Sequence, residues 1–105
     1  MSRHGVVTVA GIREMALGLT TVLQRTPVPE PLPVDLWNEA PQDAVAMVKA
    51  VIAECRDAEV SLALVRLPKA LWSWLDEEQY ETPTGTQIEA DGRLSDRIEF
   101  YRHRP

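Results

Sequence analysis

Residues able to do chemistry are few and dispersed in this chain. It has one cysteine, Cys55, and two histidines, His4 and His103, and long stretches of sequence separate them. That spacing offers neither a metal-ligand set nor a nucleophile–base pair. Cys55 falls on the apolar side of a helix-periodic stretch, which predicts a small buried hydrophobe rather than a reactive thiol. A single cysteine also excludes an internal disulfide. The glycines at 5, 11, 18, 85 and 92 are too scattered for a phosphate-cradling or dinucleotide loop. Carboxylates are abundant, but an acid–base pair needs a cleft that shifts one pKa. Asp76, Glu77 and Glu78 could ligate a hard cation, yet consecutive helical residues point in different directions, so a solvated face is the better reading. The sequence predicts no catalytic constellation, no metal and no cofactor.

What stands out instead is three tryptophans in 105 residues. A domain this small has little room to bury Trp37, Trp72 and Trp74 together, and tryptophan is enriched at binding hot spots. Burial in the core is the leading reading for these indoles, with exposure at a binding surface, Trp72 first, as the other. Trp72 borders the apolar stripe of a helix that ends in the acidic run Asp76-Glu77-Glu78, with its carboxylates at the unfavourable end of the helix dipole. The leading expectation is therefore a non-enzymatic interaction or self-associating module using Trp72, Trp74, Asp76, Glu77 and Glu78. A special case is a small acidic inhibitor that covers a basic surface on a nucleic-acid enzyme. The alternative is a small enzyme or a domain binding an anionic metabolite. Its crevice would lie at the C-terminal ends of two strands, near Asn38, Glu39, Arg66 and Lys69.

The elements that must position these residues follow from periodicity. Ala40-Pro41-Gln42-Asp43 is a helix start, with proline in the first turn and a carboxylate near the positive end of the dipole. Ala44, Val45, Val48, Val51, Ile52 and Cys55 then recur at helical spacing. Residues 60–67 follow as a strand apolar on both sides, which predicts an interior strand covered on both faces. Together they read as half of a βαβ unit whose first strand is 33–37. Upstream, 6–10 reads as a short strand. Ile12, Met15, Ala16, Leu19, Val22 and Leu23 follow as a helix interrupted by Gly18.

Residues 26–33 alternate four prolines and form an extended connector; a polyproline ligand is the other reading. Pro68 opens a third helix to about Glu78, with Leu71, Trp74 and Leu75 as its stripe. Residues 81–86 form a turn. Asp91-Gly92 between short alternating runs predicts a type I′ hairpin. Ile98 and Phe100 alternate with charged residues as a last strand, against a reading in which Ser95 caps a helical turn. Residues 96–102 resemble the closing strand of small bacterial ubiquitin-like proteins. Ser95 stands where that family has glycine, and the chain lacks the family's opening hairpin, so the resemblance reinforces the strand alone.

The expected fold class is α/β, with α+β as the alternative. It is one domain over 1–105 in the order β-α-β-α-β-α-β-β, with helices on a mixed sheet of four or five strands. The apolar fraction of 45% and charged fraction of 26% are those of an ordinary globular protein. Net charge is −5 and uneven: residues 28–91 hold thirteen acids against four bases. Such a balance disfavours direct nucleic-acid binding. No run approaches the roughly 20 apolar residues of a membrane span. A signal peptide is excluded by Thr8, Arg13 and Glu14, so a bacterial, cytoplasmic protein is the expectation, acting on a protein partner or on itself.

Overall fold

The structure, a computed structural model, describes residues 9–27, 30–35 and 40–103. Within them the order is α1 (Val9–Arg25), β1 (Leu32–Asp35), α2 (Pro41–Asp57), β2 (Leu64–Leu67), α3 (Lys69–Glu77), β3 (Gln87–Ala90) and β4 (Arg97–Tyr101). The strands form one mixed sheet in the order β1-β4-β2-β3. The fold is a small α+β domain of helix–strand alternation. From the first helix onward its order agrees with the expectation from sequence. The 6–10 strand does not: Val9 and Ala10 already belong to α1, and 6–8 lie outside the described residues.

Sequence explains each helix locally. Ala40 caps α2 in extended geometry, and its carbonyl accepts the amides of Asp43 and Ala44, both at 3.0 Å. Pro41 then costs nothing at the first helical position. α2 and α3 end alike. After α2, Glu59 turns left-handed (φ 57°), and the amides of Val60 and Glu59 close back on the carbonyls of Cys55 and Arg56. After α3, Gln79 does the same (φ 55°), with Tyr80 bonded to Leu75 and Gln79 to Asp76. Both are Schellman closures built without the usual glycine.

The core lies on one side of the sheet. Ala16 and Leu23 of α1, the apolar face of α2, and Leu71 and Leu75 of α3 meet Val65, Leu67, Ile98 and Phe100 in one buried cluster. Cys55 is inside it, 1% exposed and 3.9 Å from the Thr20 hydroxyl, and burial pushes its thiol pKa up. Arg102, just past β4, donates to the Gln24 carbonyl at 3.2 Å, where the negative end of α1 favours a cation.

Several pairings differ from those expected. Strand 60–67 is shorter, Leu64–Leu67, and although interior it has helices on one side only. Leu64 is nonetheless buried on the other side, where Tyr101 stands opposite it and Leu94 is buried nearby. β1 is an edge strand, as its proline requires, but β4 separates it from β2. The β1–α2–β2 unit is therefore split, and the adjacent parallel pair is β2–β3, crossed by α3. The Asp91-Gly92 hairpin is absent: β3 pairs with β2 and β4 pairs with β2 and β1. The turn there closes from Leu94 N–H to Asp91 O at 3.0 Å, and Gly92 lacks the positive φ of a type I′ turn. Residues 97–101 are a central strand, which removes the helical reading after Ser95.

Candidate functional site

α3 leaves the sheet with only Leu71 and Leu75 fully inward. Trp74, expected on the apolar stripe, is 41% exposed, and Trp72 is 38% exposed. Two residues apart on a helix is about 200° of rotation, so the indoles flank the buried seam on opposite sides. The expected tryptophan–acid patch is thereby divided. Trp72 and Asp76 line an open groove of about 440 Å³ between α3 and β3, whereas Trp74, Glu77 and Glu78 do not. Glu78 instead pairs with Lys49 of α2, whose ammonium lies 5.2 Å from the centre of the Tyr80 ring.

The far wall of the groove comes from residues that sequence reasoning passed over: Tyr80, Thr82, Thr86, Gln87 and Ile88. The Schellman closure after α3 sets Tyr80, and burial raises its phenol pKa. Three threonines fix the turn that follows. Thr86 donates its hydroxyl to the Leu62 carbonyl at 2.6 Å, so the 2.6 Å contact between Thr84 and Thr86 has Thr84 as donor. Thr82 donates to the Thr86 carbonyl at 2.8 Å, and Gly85 supplies the one positive-φ glycine (φ 76°) among the described residues. The available signal was the length of the α3 crossover, which suits a parallel neighbour for β2.

The sheet face away from the helices carries a ladder of paired charges. Arg66 lies 3.5 Å from Glu89 and stacks 5.2 Å from the Tyr101 ring centre. Tyr101 donates to Glu99 at 2.8 Å, and Arg97 meets Glu99 at 3.3 Å. Burial first, then the Glu99 hydrogen bond, raises the Tyr101 pKa. Beyond β3, Asp91 accepts the Arg93 guanidinium at 2.9 and 3.1 Å and its amide at 2.9 Å, which hold the carboxyl down to about 2.

Of the alternative crevice, Arg66 sits in this ladder and the Lys69 stem passes beside Gly92. Asn38, Glu39 and Trp37 lie outside the described residues. Among the described residues no cluster of three His, Cys, Asp or Glu is arranged to hold a metal, and no helix is long and apolar enough to cross a membrane. Comparison of the chain with protein families, curated proteins and solved structures found no match.

Proposed function

We propose that this chain is a non-enzymatic protein-interaction module whose binding surface is the α3–β3 groove. Trp72 is its apolar anchor, and Asp76 and Glu81 are its charged rim. The observation that carries this reading is an indole left 38% exposed over an open groove whose lining holds acids and no base. A partly exposed tryptophan in a pocket can contribute several kcal/mol to an interface. The rim favours a partner with a basic patch, and long-range attraction would speed its association. In this reading the chain acts without a cofactor, in the cytoplasm of a bacterium, and does not contact nucleic acid directly.

Wild type, Trp72→Ala and Trp74→Ala would be immobilised and their captured proteins compared, with any partner then purified and titrated. A partner held by wild type and Trp74→Ala but lost by Trp72→Ala supports the groove. Equal retention by all three removes Trp72 as anchor and the proposal with it.

A further inference from the structure

Resting on that reading, we propose that the partner enters as an added β-strand along the free edge of β3. The entering segment is extended and alternates apolar with basic side chains. Among the described residues the sheet has two edges, β1 and β3, and they differ. β1 carries Pro33, which lacks an N–H, and follows the proline connector. β3, Gln87–Ala90, has neither proline nor lysine to guard it.

The register fixes which groups β3 offers. Gln87 N–H donates to the Ala63 carbonyl and Asp91 N–H to the Leu67 carbonyl, both at 2.9 Å. Backbone polar groups alternate in direction along a strand, so 87, 89 and 91 face β2. Ile88 and Ala90 therefore turn both N–H and C=O toward the open edge. An incoming strand meeting them would place alternate side chains on the two faces of the sheet. One set enters the groove beside Trp72, Tyr80 and Ile88; the other lies by Glu89.

Charge selects the occupant. Asp76 and Glu81 rim the groove without a base among its lining, and Glu89 stands on the other face of β3. A second copy docking edge to edge would set these anions against their own counterparts, with −5 on each chain. A segment bearing lysine or arginine between apolar residues suits this arrangement. In such a segment the apolar set enters the groove beside Trp72 and the basic set lies on the face of Glu89, which Arg66 also meets at 3.5 Å, so Asp76 and Glu81 act on the basic set through their field.

The test uses a short fluorescein-labelled peptide alternating lysine with isoleucine, read by anisotropy and by amide exchange of the full chain. Controls are the same peptide N-methylated at alternate amides and one with glutamate in place of lysine. Binding should slow exchange at Ile88 and Ala90. N-methylation should weaken it about tenfold, the loss expected for a hydrogen bond or two. Ala90→Pro removes one outward N–H and leaves groove and charges intact, so it should weaken binding similarly. The wild-type chain with the N-methylated probe gives the answer even if that variant misfolds. If the probe perturbs Trp72 while exchange and N-methyl controls are unchanged, strand addition is wrong and the groove reading survives. Equal binding by Trp72→Ala overturns the groove reading and this inference together. No binding of the lysine peptide, equal binding of the glutamate peptide, or protection of Ile88 and Ala90 in a dimer without peptide each overturns the inference.

Discussion

Thr86→Val is the sharpest probe of the turn that builds the groove wall. The substitution keeps shape and removes one hydroxyl. Thr86 is 5% exposed, and its Oγ1 donates to the Leu62 carbonyl at 2.6 Å while accepting from Thr84. In the variant the carbonyl faces a methyl group and the Thr84 hydroxyl loses its acceptor. An unpaired buried acceptor costs about 1–3 kcal/mol. For a domain of this size each kcal/mol moves Tm by about 4–8 °C, so the melting point should fall by roughly 4–24 °C. Urea denaturation followed by circular dichroism gives the free energy directly, with an unchanged m-value if the unfolded state is unaltered. Thr84→Val is the control: Thr84 is exposed, so its loss should stay within about 0.5 kcal/mol. A Thr86→Val variant as stable as wild type, or no less stable than Thr84→Val, would refute the idea that this hydroxyl closes the turn onto β2.

Gln79→Gly and Glu59→Gly each relieve a left-handed backbone (φ 55° and 57°) and should stabilise by about 1 kcal/mol in urea melts; a loss of stability in both would contradict the Schellman assignment. Phe100, wholly buried in the core cluster, should cost about 3–5 kcal/mol on replacement by alanine, and a loss below 1 kcal/mol by the same assay would contradict its placement. Acrylamide should quench Trp72 and Trp74 in the folded state, and Trp72→Phe and Trp74→Phe should each reduce the quenchable emission; no reduction from either contradicts their exposure. Asp91 should titrate near 2 by carboxyl ¹³C shift, and a midpoint at the ordinary 3.8 would refute its pairing with Arg93. Because the folded pKa lies below the unfolded one, its contribution to stability is present above about 4 and lost as pH falls through about 2.

The helices were legible because each announces itself locally: the period of Ala44 to Cys55 and the proline starts at Pro41 and Pro68 survive in the structure. The alternation of Ile98 and Phe100 gave β4 for the same reason. Pairing was not legible, since it is decided between segments. Asp91-Gly92 has the composition of a hairpin turn, but β3 is carried alongside β2 by the α3 crossover, and β4 takes the centre. Residues 60–67 looked doubly covered because Leu64 and Val65 are both apolar. Only Val65 faces the helices, while Leu64 is shielded by side chains of its own face. The groove was half legible. Trp72 and Asp76 belong to it, but Trp74 does not, because the inward arc of α3 spans no more than Leu71 and Leu75.

A single helical layer has a consequence for where a partner can act. With all three helices on one face, the other face of the sheet must satisfy its own polar groups. It does so pairwise: Arg66 with Glu89, Arg97 with Glu99, and Arg93 with Asp91. Charge on that face is nearly balanced, so it exerts little net pull on an approaching protein. On the helical side, by contrast, Asp76 and Glu81 share a groove with no base among its lining. Field and apolar anchor therefore coincide at the α3–β3 groove, beside the one sheet edge that no proline guards. On the proposed reading, a partner drawn there by charge would meet the indole of Trp72 and the outward amides of Ile88 and Ala90 together.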